Sequence, residues 1–191
     1  ALSYTLRGAE LAVGFHFVNH EPELTAHLEF GLHPGFVASS FESFSLAMPA
    51  GRYRRWFSPD NYRSGETEEI RFEGGEMPFA RAKLSGSYIL ELVDVPNPIF
   101  VYHDQASSRS VELDMTGVPY VTLWSDGGAF LCVEPFWGLT DTHEQRAFDD
   151  QGGIQHRPAG GELRTRFMCA PPTATLLAAG PSGQTQPTAT P

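Results

Sequence analysis

The stretch Glu10–Asn19, "ELAVGFHFVN", alternates large apolar side chains with smaller or more polar ones. Every second residue from Leu11 to Phe17 is apolar, and these side chains share one face of an extended chain. The residues between them, from Ala12 to Val18, face the other way. This period of two is typical of a β-strand that packs one face against a core. We therefore predict a strand here.

The same patterning continues through most of the chain, with short clusters of Gly, Pro, Asn and Asp between the segments. No window of about 12 residues combines a helical apolar stripe with capping residues, and we expect only a short helical turn around Asp141–Phe148. With 15 prolines and 19 glycines, the sequence predicts an all-β sandwich or barrel. The further predicted strands are Leu28–Leu32, Ser43–Met48, Arg52–Phe57, Ile70–Phe72, Ser87–Val93, Ile99–His103, Ser110–Met115, Val121–Trp124, Phe130–Glu134 and Leu163–Ala170.

The domain organisation is simple. The 191 residues suffice for one domain with a substantial core, and no repeat or break in composition divides residues 1–172. From Thr173 the periodicity is lost, and the sequence becomes rich in Pro, Ser, Thr and Gln after Gly180. We predict that residues 173–191 form a C-terminal tail that is disordered toward its end.

Charge and composition exclude several functional classes. The net charge is −10, from 23 acidic and 13 basic residues, and the only basic cluster is the short "RYRR" of Arg52–Arg55. Such a chain would repel a nucleic-acid backbone. No segment approaches the about 20 apolar residues of a membrane span, and the first residues do not resemble a signal peptide. Cys132 and Cys169 lie in apolar runs, which favours reduced thiols. The alternative is a single disulfide between them. We expect a cytoplasmic protein.

A carboxylate lies inside the apolar segment Ala129–His143, "AFLCVEPFWGLTDTH". Alternation places Glu134 on the same face as Phe130 and Cys132. If that face lines a pocket, loss of solvent would raise the pKa of Glu134 and make its ionised form a stronger base. The alternative is a glutamate on a solvated face opposite the core. We expect Pro135, which cannot donate to a ladder, to end the strand.

A histidine precedes a proline in "FGLHPGF", Phe30–Phe36. The proline biases His33 toward extended geometry at the end of a strand, from which its imidazole can point into a cleft. An imidazole is a usable acid near neutral pH. The alternative is an ordinary surface histidine with one hydrogen bond.

The sequence predicts neither a metal nor an organic cofactor. His16 and His20 are four residues apart, but in a strand-like segment that spacing does not bring them to one helical face. The other histidines occur singly. The chain also lacks a Gly-x-Ser-x-Gly motif and a phosphate-binding glycine loop.

Three segments taken in order, "FGLHPGF", "VTLWSDGGAFLCVEPFWGLTDT" and "DDQGGIQHRPAGGELRTRF", resemble the aldose 1-epimerase (galactose mutarotase-like) family. The similarity covers about residues 3 to 170. It is closest to a bacterial branch with Gly-x-His-Pro-x-Phe and Cys-x-Glu-Pro-Trp-x-Gly segments. The resemblance implies an antiparallel β-supersandwich with a carbohydrate cleft, which interconverts the α and β anomers of an aldose without a cofactor.

The resemblance also implies roles for individual residues. Glu134 matches the family's catalytic base, which removes the proton of the anomeric hydroxyl, and His33 matches its general acid, which protonates the ring oxygen. Aromatic rings stack on the apolar faces of sugars. The expected substrate-binding residues are Trp124, Phe136, Trp137 and Ser87. Ser87 occupies a position where some members have an aspartate, and a serine offers no charge-assisted acceptor to a sugar hydroxyl.

The segment that resembles the family does not include about the first third of the family's fold. In the family, that third carries a sugar-binding arginine and a second active-site histidine. We therefore expect an open sheet edge, which a further N-terminal segment or a second copy of the chain would cover. Two other functions remain open. One is a non-catalytic carbohydrate-binding module, and the other is a β-sandwich interaction domain without a sugar ligand.

Overall fold

The structure is a computed structural model that describes residues 1–77, 84, 86–144 and 146–172. The predicted tail, 173–191, lies outside the described residues. Within the described part of the chain, strands dominate, so the all-β prediction is confirmed. The strands are β1 (Leu2–Arg7), β2 (Glu10–Val18), β3 (Ala26–Leu28), β4 (Phe30–Gly31), β5 (Gly35–Val37), β6 (Phe44–Met48), β7 (Gly51–Trp56), β8 (Thr67–Phe72), β9 (Gly75–Met77), β10 (Tyr88–Asp94), β11 (Ile99–Asp104), β12 (Arg109–Asp114), β13 (Tyr120–Trp124), β14 (Phe130–Trp137), β15 (Gln155–Arg157) and β16 (Glu162–Ala170).

Most of the strands form a sandwich of two antiparallel sheets, while β3 and β15 pair with each other in a separate two-stranded sheet. The first sheet has the order β1-β2-β16-β12-β11-β6-β9, and the second has the order β4-β14-β13-β10-β7-β8, with β5 also paired to β14. The core between them takes alternate side chains from both sheets, such as Phe100 and Leu113 from the first and Val121 and Leu131 from the second. In the second sheet the remaining side chains therefore face outward, and this outer face carries the candidate site.

Every predicted strand overlaps an observed one, whereas four observed strands were not predicted. The stretch that set the pattern forms β2, in which Val13 and Phe15 are buried. The four strands that were missed are β1, whose residues are all exposed, and β5, β9 and β15, which have 3 residues each and are too short for their alternation to be recognised.

The helical turn predicted around Asp141–Phe148 is wrong in position. The described residues contain short 3₁₀ turns at Phe41–Ser43 and Phe148–Asp150, and Asp141 begins neither. The backbone N–H of Arg63 donates to the carbonyl of Asp141 at 2.8 Å. Arg63 also forms a β-bridge with Thr142, so the beginning of the predicted turn is held beside Arg63 instead. No helix of the described residues is long and apolar enough to cross a membrane.

Pro135 does not end its strand, contrary to the prediction. β14 continues to Trp137, and Pro135 lies opposite Val121 of β13. Its carbonyl accepts a hydrogen bond from the backbone N–H of Leu32 at 3.0 Å, on the side of β14 away from β13. The N–H that proline lacks would point to the same side. The pairing of β4 with β14 stops at this position, so the missing donor coincides with the interruption between β4 and β5.

Trp137 lies in the core, so its prediction as a substrate-binding residue is wrong. It is 3% exposed, and its indole N–H donates to the carbonyl of Gly117 at 2.9 Å. Its ring stacks on Phe30, with centroids 5.0 Å apart. Trp137 is three positions from Glu134 on the same strand, and an odd spacing places two side chains on opposite faces.

The edge of the first sheet is open at β1. Within the described residues, β1 pairs only with β2. Leu2, Tyr4 and Leu6 alternate along β1 and are all exposed. An edge of this kind agrees with the sequence-based expectation, although nothing in the described residues indicates what covers it.

We expect Trp137→Phe to lower the free energy of unfolding by about 1–3 kcal/mol, because it removes a buried hydrogen-bond donor and leaves a cavity beside Phe30. The matched control is Trp124→Phe on the outer face, which should cost about 1 kcal/mol or less. Urea unfolding at neutral pH measures both values. Equal losses for the two variants would contradict the placement of Trp137 in the core.

Candidate functional site

A cleft of about 470 Å³ opens on the outer face of the second sheet. That volume lies in the range typical of small-molecule sites. Its floor comes from β10, β13 and β14, and its walls come from the segments before β4 and β10 and after β7 and β14. The lining residues are Glu29, His33, Asn61, Ser87, Ile89, Thr122, Trp124, Glu134, Phe136, Gly138, Leu139 and Thr140.

Cross-strand pairing builds the floor. Thr122 on β13 lies opposite Glu134 on β14, and Tyr120 lies opposite Phe136. On the other side of β13, Thr122 lies opposite Ile89 of β10. Because side chains alternate between faces, this register delivers one row of cleft residues from three strands while their neighbours fill the core.

His33 reaches the cleft from the interruption between β4 and β5. Two backbone hydrogen bonds hold this interruption against β14: Leu32 N–H to the Pro135 carbonyl at 3.0 Å and Val133 N–H to the Pro34 carbonyl at 3.2 Å. His33 lies between these bonds, and its Nε2 is 3.1 Å from Oε1 of Glu134. The structure therefore brings together two residues that are about a hundred positions apart in the sequence.

Glu134 has a buried carboxyl group with one unpaired oxygen. The residue is 3% exposed, and burial raises the pKa of its carboxyl to about 7. Although His33 is close, the contact lacks hydrogen-bond geometry, and Oε1 of Glu134 accepts no hydrogen bond from any described residue. A buried carboxylate oxygen without a donor is costly and is often found at functional sites.

The His33 imidazole differs from Glu134 in its exposure. Its side chain is 60% exposed, and its ring packs edge-on against Trp124 with centroids 5.9 Å apart. Trp124 in turn packs on Phe130, at 5.7 Å. The imidazole can therefore reorient and exchange protons with solvent while Trp124 limits its position on one side.

Three of the four predicted substrate-binding residues lie in the cleft, and Trp137 does not. Trp124 and Phe136 project from the floor. Phe136 covers Gly31, where an added Cβ would lie 2.2 Å from its ring, so only glycine allows this packing. The Ser87 hydroxyl donates to the Asn61 side-chain oxygen at 3.2 Å, at the wall of the cleft.

The sequence analysis missed several polar residues of the walls. Glu29 lies over Gly138, where an added Cβ would be 2.1 Å from the glutamate side chain. Desolvation raises the pKa of Glu29, while the nearby Arg63 opposes that shift. Arg63 is buried and donates to the carbonyl of Thr140, so it holds the wall that follows β14. Thr122 on the floor was also missed, although the alternation of its strand places it on the same face as Trp124.

Two residues of the cleft, His33 and Glu134, form a group of three potential metal ligands with the buried Cys132. Cys132, His33 and Glu134 each offer one ligand atom, and these atoms all lie within 4.8 Å of one another. Cys132 and Cys169 are both free thiols, so the disulfide left open by the sequence does not form. Burial, with a smaller contribution from Glu134, raises the pKa of Cys132 to about 11.

Comparisons with known proteins give structural but not sequence matches. No family model matches the chain, and no curated protein matches it. A galactose mutarotase related enzyme from Lactobacillus acidophilus is similar, with a TM-score of 0.79 and 21% identity over 90% of this chain and 60% of that one. A galactose mutarotase-like protein from Lactobacillus casei has a TM-score of 0.77 and 25% identity over 88% of this chain and 61% of that one.

A third solved structure, a galactose mutarotase-like protein from Clostridium acetobutylicum, has a TM-score of 0.59 and 18% identity. It matches over 88% of this chain and 54% of its own. The chain thus spans less than two thirds of the proteins it resembles. Over that span it has the galactose mutarotase-like fold, an all-β antiparallel supersandwich, as its sequence motifs predicted.

Proposed function

We propose that this chain carries the acid–base site of an aldose 1-epimerase-like enzyme, which interconverts the α and β anomers of a hexose or a related sugar. The observation that supports the proposal most directly is the 3.1 Å approach of His33 Nε2 to Glu134 Oε1 in a sugar-sized cleft. The anomeric oxygen and the ring oxygen of an aldose are bonded to the same carbon. A base and an acid that serve them must therefore lie within a few ångströms of each other.

The proposed reaction needs only proton transfers. Ionised Glu134 removes the proton of the anomeric hydroxyl, and protonated His33 donates a proton to the ring oxygen. The bond between the anomeric carbon and the ring oxygen breaks, which leaves an open-chain aldehyde and a hydroxyl. After rotation of the carbonyl group, the hydroxyl oxygen attacks its other face. His33 then takes the hydroxyl proton, Glu134 returns its proton to the carbonyl oxygen, and both groups regain their starting states.

The environment of each residue suits its proposed role. Burial of Glu134 makes its ionised form a stronger base than an exposed glutamate. Exposure lets His33 follow the ring oxygen and regain its proton from solvent. Trp124 and Phe136 provide apolar surface for one face of a sugar ring, while the polar walls provide partners for its hydroxyls: Glu29, Asn61, Ser87, Thr122 and Thr140. The two free thiols are consistent with the proposed cytoplasmic location.

The second candidate function is a non-catalytic carbohydrate-binding module with the same cleft. It is favoured by Ser87 at the wall of the cleft, because a serine hydroxyl is a weaker acceptor for a sugar hydroxyl than a carboxylate is.

We expect the chain to accelerate the mutarotation of freshly dissolved α-glucose or α-galactose in polarimetry. Glu134→Gln and His33→Gln should each lower kcat/KM by about 10²–10⁴-fold, the usual contribution of one acid or base. Glu29→Gln is the matched control, since it changes another carboxylate of the cleft and should cost less than about tenfold. Sugar binding without acceleration would favour the binding module. Full activity of Glu134→Gln would refute the proposed base.

The pH dependence offers a separate prediction, because the base acts only when ionised. With the pKa of Glu134 near 7, kcat/KM should rise through about pH 7 and fall about tenfold per pH unit well below it. A limb near the ordinary value of 4.5 would contradict the role of a buried Glu134.

The same ionisation must affect stability. The pKa of the Glu134 carboxyl is higher in the folded state than in the unfolded chain, so protonation of Glu134 stabilises the fold. This contribution to the free energy of unfolding is fully present below the ordinary pKa of 4.5 and is lost as pH rises through about 7. Glu134→Gln should therefore gain stability relative to the wild type above pH 7, and urea unfolding across the pH range checks this gain without any assay of activity.

A further inference from the structure

A thiol lies beside the proposed acid–base pair and has no part in the proposed reaction. Cys132 and Glu134 are two positions apart on β14, so both side chains project from its outer face. His33 joins them from the interruption between β4 and β5, and one ligand atom from each residue lies within 4.8 Å of the other two. Among the described residues this is the one group of three with metal-ligand spacing.

The three ligand groups favour some metal ions over others. A thiolate is a soft ligand that Mg²⁺ and Ca²⁺ avoid, whereas thiolate, imidazole and carboxylate together suit Zn²⁺. Zinc bonds of about 2.0–2.3 Å place tetrahedral ligand atoms about 3.3–3.6 Å apart. The distance from His33 Nε2 to Glu134 Oε1 is 3.1 Å, and the largest separation in the group is at most 4.8 Å. A small movement of the exposed His33 ring would complete the geometry.

A second observation points to a bound cation. Oε1 of Glu134 is buried, lies 3.1 Å from His33 Nε2 and accepts no hydrogen bond from a described residue. A cation at the centre of the group would give this oxygen a partner, which the protein otherwise does not provide.

We propose that His33, Cys132 and Glu134 bind one Zn²⁺, with the fourth position open to water or a sugar oxygen. Binding replaces the thiol proton of Cys132 and any proton on the Glu134 carboxyl, and both protons pass to solvent. Zinc then occupies the lone pairs that Glu134 and His33 need for proton transfer. Inhibition of mutarotation is the expected consequence. Binding itself does not depend on the proposed function, whereas the inhibition does.

The binding test uses Co²⁺ as a spectroscopic substitute for zinc. Cobalt added to the chelator-treated protein under reducing conditions should produce a thiolate-to-cobalt charge-transfer band and the intense visible absorption of tetrahedral cobalt. One equivalent of Zn²⁺ should abolish both. Cys132→Ser should lose the charge-transfer band, and Cys169→Ser, which changes the other thiol, should retain it. Absence of the band in the wild type, or its loss only in Cys169→Ser, would overturn the proposal.

Two further variants guard against a folding defect in Cys132→Ser. His33→Ala changes an exposed side chain, so it should leave near-UV circular dichroism unchanged while weakening cobalt binding at least about tenfold. Glu134→Gln should weaken binding similarly. Unchanged cobalt affinity in both variants would place the metal elsewhere and refute the site.

The activity test separates this proposal from the proposed function. If zinc inhibits, the inhibition constant should rise at least about tenfold in Cys132→Ser, which keeps both proton-transfer groups. Mutarotation without any cobalt signal would remove the metal site and leave the epimerase intact. A cobalt signal without mutarotation would support the metal site and refute the proposed epimerase function.

Discussion

Two backbone hydrogen bonds across the edge of the second sheet determine where the candidate site of this protein lies. Leu32 donates to Pro135, and Val133 donates to Pro34, on either side of the break between β4 and β5. They fix a segment that leaves the ladder for His33 and rejoins it immediately afterwards. With them, the His33 imidazole projects over a carboxylate on the neighbouring strand.

The two prolines explain why the break occurs at this place. Pro34 has no N–H to donate, and Pro135 has none on the facing strand, so a continuous ladder between these positions would lack donors on both sides. The carbonyls of both prolines remain available, and both accept the bonds that flank His33. Prolines that would weaken a regular sheet therefore stabilise the irregularity on which the site depends.

This arrangement buries the carboxylate of Glu134, which destabilises its ionised form. Glu134 loses its solvent shell, and its ionisation becomes less favourable in the folded protein. Elsewhere the same fold buries a carboxylate with full compensation. Asp104 accepts hydrogen bonds from the hydroxyls of Ser39, Ser43 and Ser107, and these bonds hold its pKa below the ordinary value. The contrast between a satisfied Asp104 and an unsatisfied Glu134 supports a structural role for the first carboxylate and the proposed acid–base role for the second.

The sequence predicted the face of a side chain correctly where that side chain follows the alternation of its strand. The alternation of β14 placed Glu134 with Phe130 and Cys132, and the motif around His33 located the second group. The same rule, applied consistently, would have excluded Trp137, which has the opposite parity. The sequence could not indicate Glu29 or Arg63, because their positions depend on how loops after different strands meet. It also could not show that Pro135 lies within a strand, because that depends on a break in its neighbour.

The proposed proton transfer and the proposed zinc site follow from one property of the cleft. An acid–base pair needs lone pairs that no protein group occupies, and a metal needs the same lone pairs. Cys132 determines whether the site can also bind zinc. Its thiol has a raised pKa, so it stays protonated and does not compete for the proton of a sugar. Once zinc displaces the thiol proton, the thiolate is a strong ligand. A serine at this position would keep the pair and remove the soft ligand. If both proposals hold, Cys132 makes the activity of this site depend on the concentration of free zinc.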